Sequence, residues 1–365
     1  MNVRINTKAL RMLLALALIT GCAQTQLVPQ NTMQVGEGAS LRAVPVCAGS
    51  RINQAQCDVL VERDSPQTKW HGWTALDIEK AYDLPSLSEG EGQTVAIIDP
   101  YDNPRVAKDL EAYRSLSGLP KARFGKYNQK GQKGNYPEGS QDWGIEIDLD
   151  VEMAAASCPH CTIDLVESNS TSWQSLGAAE REAVKLGATI VSNSYGGTGG
   201  NCSYYGSERV TYVASSGDSG LGIRYPASCS HVVAVGGTVL TPAKTKRGYN
   251  EKLWSESGGA CSVEPKPSWQ YDTKCANRLA DDVSAVAYGV AEYDTYGATG
   301  WIEVDGTSIS APLVAGIFGL AGNSTDQDGG RTFWARVHHK YLYKITVPQY
   351  SDQGGWGSPE GTGAF

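Results

Sequence analysis

The chain has 365 residues, which is enough to bury one large core, or one domain with a small extension. Its formal net charge is −8, and we find no basic patch interleaved with aromatic residues, so nucleic acid is not an expected partner. Forty-two glycines, eighteen tyrosines and a low share of charged residues (19%) suit a loop-rich extracellular α/β protein.

The N-terminus reads as an export signal. Three basic residues (Arg4, Lys8 and Arg11) precede an apolar run over 12–19, which is too short for a transmembrane anchor. The following Thr-Gly-Cys22 resembles a bacterial lipobox, in which the cysteine is lipidated and attaches the protein to a membrane. The alternative is ordinary secretion, with Cys22 removed or paired. We therefore expect an exported protein, anchored in the cell envelope through Cys22 or extracellular.

The domain organisation follows from composition. We predict a signal peptide with lipobox over 1–21, a polar leash and short disulfide-bearing extension over 22–75, and one large domain over 76–365. Apart from Cys22 there are eight cysteines, an even number, as expected in an oxidising compartment. Pairing by proximity along the chain suggests four disulfides: Cys47–Cys57, Cys158–Cys161, Cys202–Cys229 and Cys261–Cys275.

The Cys158-Pro-His-Cys161 string also permits a redox or metal-binding interpretation. No second Cys-x-x-Cys exists to complete a zinc site, so a structural disulfide is favoured.

Strand-like and helix-like segments alternate from residue 93 onward. Such βαβ alternation predicts an α/β fold, with a parallel sheet flanked by helices on both faces. The predicted strands are 93–100, 162–167, 189–195, 209–214, 231–236 and 301–304, and the predicted helices are 106–115, 146–156, 173–186 (stopping at Gly187) and 313–321.

One predicted helix carries closely spaced acids. Glu146 and Asp150 are four residues apart and share one face, while Asp148 and Glu152 form a second pair on the opposite face. Apolar residues surround the helix, which indicates that it is largely buried. Buried carboxyl groups this close cannot both ionise cheaply, so one pKa must rise and the pair shares a proton. The alternative is a solvated acidic helix start.

Asp218 lies in a glycine-flanked loop, Ser-Gly-Asp-Ser-Gly, directly after a predicted strand. Ligands of open parallel sheets bind beyond the carboxyl ends of strands. A protonated Asp218 could donate a hydrogen bond to an oxyanion, although turn formation is the commoner use of such a string.

A serine-rich string, Gly306-Thr-Ser308-Ile-Ser-Ala-Pro312, precedes an apolar helix. Pro312 suits a first helical turn, which would put Ser308 at a helix N-terminus that favours developing negative charge. Ser308 is thus a candidate nucleophile, and the alternative is a simple helix cap.

A serine nucleophile needs a base, and the chain has no His-Gly-Thr-His-like helix start. None of its five histidines lies in a sequence context typical of a catalytic base (His71, His160, His231, His338 and His339). We therefore expect a carboxylate base working in acid.

Together these pieces resemble the sedolisin family of serine-carboxyl peptidases, over about residues 75–365. The matches are Glu146-x-x-x-Asp150, Ser-Gly-Asp218-Ser-Gly and Gly-Thr-Ser308-x-Ser-x-Pro. The resemblance implies a subtilisin-like fold and an endopeptidase active at acidic pH. Ser308 would be the nucleophile, Glu146 the base, Asp150 its partner and Asp218 the oxyanion donor. Polypeptides would be the substrates, and we expect a monomer.

The chain departs from the family pattern at several points. Asp305 precedes the serine motif where a small residue is usual, and Lys344 stands where a calcium-binding aspartate is expected. The following segment, Val347 to Trp356, contains Asp352 as its single acid, and a calcium site wants several oxygen ligands with carboxylates among them. We therefore expect no cofactor, with calcium not excluded. The short stretch before the first core strand does not fit the family's large folded propeptide.

Two alternatives remain for the function. One is a catalytically inactive sedolisin-like protein that binds peptides or polymer at the cell envelope, which Asp305 and the altered C-terminal segment favour. The other is a different acyl hydrolase, such as an esterase, on the same scaffold.

Overall fold

The computed structural model describes residues 43–47, 52–62, 71–85, 88–121, 123–206, 209–322 and 328–365. The predicted signal peptide, Cys22 and most of the predicted leash lie outside these residues. Of the helices that are described, none is long and apolar enough to cross a membrane.

Helices and strands alternate along the described chain. The α-helices are α1 (Ala75–Tyr82), α2 (Val106–Leu116), α3 (Gln141–Ser157), α4 (Trp173–Leu186), α5 (Thr307–Ala321) and α6 (Arg331–Trp334). The strands are β1 (Ala43–Pro45), β2 (Gln56–Cys57), β3 (Leu60–Glu62), β4 (Thr94–Pro100), β5 (Arg123–Asn128), β6 (Thr162–Ser168), β7 (Ile190–Asn193), β8 (Tyr195–Gly196), β9 (Thr211–Ser215), β10 (Val232–Pro242), β11 (Tyr249–Leu253), β12 (Ala260–Cys261), β13 (Leu279–Ala280), β14 (Val283–Val286), β15 (Val290–Asp294), β16 (Gly300–Asp305), β17 (Leu342–Tyr343) and β18 (Ser358–Pro359).

An eight-stranded sheet forms the centre of the molecule, in the order β11-β10-β9-β7-β4-β6-β5, with β14 beside β10. Only the β10–β11 pair is antiparallel. In the central strand β4, every side chain from Val95 to Pro100 is buried, on both faces of the sheet. Such a strand must be covered on both faces, because both sets of its apolar side chains avoid water. This confirms the predicted parallel sheet flanked by helices.

The helices α3 and α5 pack against each other beside this sheet. Almost every residue of each helix is buried. The acids that the sequence predicts on α3 therefore lie inside the protein and not on a solvated helix start.

The predicted boundaries are confirmed where capping residues mark them. Helix α4 spans the predicted residues, because Ser172 caps its first turn and Gly187 ends it in a left-handed conformation. Helix α3 begins five residues before its predicted start, at a cap formed by Ser140. Pro312 does not lie in a first turn: that prediction is wrong, because α5 already begins at Thr307.

Residues of the predicted extension pair with the large domain. A four-stranded antiparallel sheet has the order β1-β3-β16-β15, and β2 pairs with β8. The extension therefore adds strands to two edges of the domain and is not separate from it.

All four predicted disulfides are present among the described cysteines. Cys158 caps the C-terminus of α3, so its bond to Cys161 closes the end of the acid-bearing helix. This confirms the structural interpretation of the Cys-x-x-Cys string.

Candidate active site

Ser308 is the second residue of α5 and is fully buried. The turn before it needs glycine at 306, where φ is +141°, a region that side-chain-bearing residues rarely adopt. Because Pro312 has no N–H, the Ser308 carbonyl lacks its usual helical donor, and the Ser194 hydroxyl donates to it instead (3.3 Å). The Ser308 hydroxyl in turn donates to the Ser194 carbonyl (3.2 Å). The Ser194 hydroxyl thus links the backbone of Ser308 to the segment between β7 and β8.

Glu146 and Asp150 lie on the side of α3 that faces Ser308. Burial raises the pKa of the Glu146 carboxyl well above its usual range, the neighbouring Asp150 and Asp99 raise it further, and the Ser308 hydroxyl acts in the opposite direction. Burial likewise raises the pKa of Asp150, with the Ser194 hydroxyl opposing it. Two adjacent carboxyl groups with raised pKa values can hold and pass on a single proton.

Asp99 is a third buried acid in this cluster, at the carboxyl end of β4. Burial raises its pKa well above the usual range, and Asp150 and Glu167 raise it further. Our sequence analysis gave Asp99 no role. Its position at the end of a predicted central parallel strand was the one signal that could have singled it out.

The second acid pair of α3 faces away from Ser308. Asp148 accepts a hydrogen bond from the Asn103 amide (2.7 Å) and Glu152 accepts one from the Tyr293 backbone (3.0 Å). Carboxylate oxygens of Asp109, Asp148 and Asp294 lie within 4.8 Å of one another and are the one described group with metal-ligand spacing. Asp109 and Asp294 both also accept hydrogen bonds from the turn after β15, so this cluster has a structural role in holding that turn.

Asp218 lies against the N-terminus of α5. Its Oδ1 accepts hydrogen bonds from both the backbone N–H and the hydroxyl of Thr307, each at 2.8 Å. Its Oδ2 is buried and has no partner among the described residues. Burial raises the pKa of Asp218 well above its usual range and the nearby Asp58 raises it further, while Thr307 opposes both. A proton on Oδ2 would therefore be available for donation.

Asp305 is the last residue of β16. Its Oδ1 accepts a hydrogen bond from the Gly289 backbone (2.8 Å), which fixes the turn before β15. The Asp305 carboxyl is therefore a structural acceptor.

Three of the five histidines are engaged elsewhere. His231 pairs with Asp328, His338 with Thr332, and His339 with the Phe333 carbonyl. His160 lies in the loop closed by the Cys158–Cys161 disulfide. His71 precedes α1 and is exposed.

Asp58 also lies at Ser308, which the sequence analysis did not predict. Its carbonyl oxygen accepts the backbone N–H of Ser308 (3.2 Å). Its carboxyl group is 2% exposed and is held by Arg224 and Ser215. No local pattern in the sequence relates Asp58 to residues this far along the chain.

Comparison with known proteins gives consistent results. The family model for the subtilase family matches residues 155–361. Among curated proteins, the chain is 28% identical over 294 residues to kumamolisin of Bacillus sp. (strain MN-32), an alignment that covers 67% of this chain and 51% of that protein. It is 24% identical over 294 residues to sedolisin of Pseudomonas sp. (strain 101), covering 68% and 50%. The chain thus spans about half the length of these relatives.

Among solved structures, a Pseudomonas sedolisin complexed with two molecules of pseudo-iodotyrostatin superposes with a TM-score of 0.69. The identity is 22%, and the match covers 80% of this chain and 96% of that one. Fervidolysin from Fervidobacterium pennivorans, a keratinolytic enzyme related to subtilisin, gives a TM-score of 0.51 at 14% identity, covering 80% and 45%. The predicted subtilisin-like α/β fold is therefore confirmed.

Proposed function

This chain belongs to the subtilase family and is sedolisin-like within it, and on that premise we propose that it is a serine-type endopeptidase that hydrolyses peptide bonds at acidic pH. The observation that carries the proposal is the packing of α3 against α5, which buries Ser308 in one cluster with Glu146 and Asp150. His231, His338 and His339 are engaged by other residues, which favours a carboxylate as the base.

In the proposed reaction, the Ser308 hydroxyl turns from the Ser194 carbonyl to Glu146 and attacks the substrate carbonyl carbon. Glu146 takes the hydroxyl proton and returns it to the leaving amine, which gives an acyl-enzyme that water then hydrolyses. Asp150 shares the proton with Glu146 and so keeps one of the two carboxyl groups ionised while the other stays neutral. The charge of Asp150 raises the pKa of Glu146, which is the coupling expected of two carboxyl groups that share one proton.

The negative charge that develops on the substrate oxygen needs donors. We assign two: the backbone N–H of Ser308 and a protonated Oδ2 of Asp218. An ionised Asp218 would repel this charge, so activity requires a pH at which Asp218 keeps its proton. Because the pKa of Asp218 is raised, Asp218 keeps its proton at pH values above the usual pKa of an aspartate.

Peptide hydrolysis by the purified chain, measured from about pH 2 to pH 8, tests this function. We expect an acidic optimum, and we expect Ser308→Ala and Glu146→Gln each to abolish cleavage. Asp148→Asn is the matched control, because Asp148 lies on the opposite face of the same helix, and it should reduce cleavage far less. Retained cleavage in Ser308→Ala or Glu146→Gln would refute the role assigned to that residue, and an inactive wild-type chain would favour a binding protein.

We further propose export and attachment to a membrane through a lipidated Cys22. The four disulfides support an oxidising compartment, and the basic and apolar residues before Cys22 support the signal. Labelling cells with a fatty-acid analogue should mark the wild-type protein and leave Cys22→Ala unmarked. Label on the Cys22→Ala protein would contradict this attachment site.

A further inference from the structure

The segment 56–60 passes through the candidate active site, where it connects β2 to β3. On one side of Ser308, β2 pairs antiparallel with β8, with Cys57 opposite Tyr195. On the other side, β3 pairs antiparallel with β16, with Leu60 opposite Asp305. Adding a strand to exposed sheet edges is a common way for proteins to hold an extended peptide. The segment is therefore bound as a peptide ligand would be.

Within this segment, the carbonyl oxygen of Asp58 lies at the position that we assign to the substrate oxyanion. It accepts the Ser308 N–H (3.2 Å), the donor assigned above to the reacting oxygen. It also lies against Gly306, where an added Cβ would overlap the Asp58 carbonyl oxygen and lie 2.9 Å from Oδ2 of Asp218. The peptide bond between Asp58 and Val59 thus lies where a substrate's scissile bond would lie.

The carboxyl group of Asp58 fills a polar pocket, in which burial raises its pKa while Arg224 and Ser215 act in the opposite direction. Arg224 Nη1 donates to Oδ1 (3.2 Å) and the Ser215 hydroxyl donates to Oδ2 (3.0 Å). Arg224 is itself positioned by a second hydrogen bond, to the Ser219 hydroxyl (3.0 Å). Glycine at 196 makes room, because a Cβ there would lie 2.8 Å from Arg224 Cδ and 3.3 Å from Asp58 Oδ2.

From this geometry we infer that the site selects peptides with an aspartate directly before the cleaved bond, with Arg224 and Ser215 as the selecting residues. The inference rests on the proposed peptidase function and names its substrate class. An apolar side chain in the pocket would leave the Arg224 guanidinium without its partner, which is costly for a partly buried charge. The chain's own Asp58–Val59 bond is then the first substrate: Ser308 would form an ester with the Asp58 carbonyl carbon, the amine of Val59 would leave with the proton from Glu146, and water would release residue 58 as a carboxylate.

Two measurements on the full chain test the inference. After transfer to pH 4, intact-mass analysis should find a new N-terminus at Val59 in the wild-type chain and none in Ser308→Ala. With the acid-treated wild-type chain, kcat/KM for a quenched fluorescent peptide with aspartate before the cleaved bond should exceed that for its leucine counterpart by about 10–100-fold, the range for a buried charge-assisted hydrogen bond.

Variants of Arg224 separate this pocket from general effects on the enzyme. Arg224→Gln should bring the aspartate-to-leucine ratio close to one, Arg224→Lys should restore part of it, and Arg224→Glu should favour a lysine peptide. Arg331→Gln is the control, because Arg331 is exposed on α6, away from this pocket, and it should keep the wild-type ratio. Thermal melting checks that every variant folds.

The outcomes are distinguishable from those for the proposed function. A wild-type chain that cleaves neither peptides nor itself overturns both proposals. Cleavage without a preference for aspartate, a preference that survives in folded Arg224→Gln, or processing at a bond other than Asp58–Val59 overturns the pocket assignment alone and leaves the peptidase function standing.

Discussion

Replacing Asp218 by asparagine tests the proposed oxyanion donor most sharply. Oδ1 of Asp218 accepts two hydrogen bonds of 2.8 Å from Thr307, and Oδ2 has no partner among the described residues. In Asp218→Asn the amide oxygen can keep both Thr307 bonds, which directs the NH₂ group to the position of Oδ2. The substitution therefore supplies a donor at that position without needing a proton from solution.

The variants Asp218→Ala and Asp218→Asn should differ in how much activity they lose and in how that activity depends on pH. Asp218→Ala removes the donor, and we expect a loss of about 100–1,000-fold in kcat, or about 2.7–4 kcal/mol. Asp218→Asn should stay within about tenfold of the wild type at the acidic optimum. In the wild type, the active form is the protonated one, so kcat/KM should fall by about tenfold per pH unit above the pKa of Asp218. Asp218→Asn does not ionise, so this fall should move to higher pH.

The assay is the kcat/KM of one peptide, measured across the pH range on the wild type and both variants. Thr307→Val is a useful companion, because it removes one of the two bonds that orient Oδ1 and should weaken both the wild type and Asp218→Asn. If Asp218→Asn loses as much activity as Asp218→Ala, or if its alkaline limb coincides with that of the wild type, then Asp218 does not act as the proton-bearing donor.

Three further predictions concern stability and the shape of the site. Ser194→Ala leaves the buried Ser308 carbonyl without a donor, so the free energy of unfolding in urea should drop by about 1–3 kcal/mol, and an unchanged value would show that another group serves this carbonyl. In Gly306→Ala, the alanine would have to adopt a φ of +141° and its side chain would overlap the Asp58 carbonyl. We therefore expect kcat/KM to fall by more than about tenfold. The control is Gly322→Ala, at a helix end with open space around it, which should leave kcat/KM near the wild-type value. The Ser308→Ala chain, which is not expected to cut itself, should also melt at a higher temperature at pH 4 than at pH 7. The buried carboxyl groups of α3 have raised pKa values in the folded state, so the folded chain holds more protons than the unfolded chain above about pH 4, and stability falls as pH rises toward the folded-state values. A higher melting temperature at pH 7 would contradict this.

The sequence was informative where residues close together along the chain determine the structure. Helix α4 could be predicted to the residue because a capping serine and a left-handed glycine mark its two ends. The acid pairs of α3 could be assigned to opposite faces because four-residue spacing fixes the face in any helix. The disulfides could be paired because each joins two consecutive cysteines of the chain.

Long-range features escaped the sequence analysis. Pro312 suggests a helix start, but it lies further into α5 because the Ser194 hydroxyl satisfies the carbonyl that Pro312 leaves free. Strands β2 and β3 carry little periodic signal, since each is only two or three residues long and forms by pairing with the domain edge. Asp58 and Arg224 meet only through that pairing, so neither could be connected to Ser308 beforehand.

The Cys47–Cys57 bridge closes a loop that lies wholly before the Asp58–Val59 bond, and the other three bridges lie wholly after it. No covalent link among the described residues spans this bond, so a cut there would produce two fragments held together by noncovalent contacts alone. The smaller fragment would carry residue 22 and any lipid on it. Hydrolysis followed by separation of the two fragments would then convert a tethered precursor into a diffusing enzyme, and the two forms would be found in the membrane and soluble fractions of the cell.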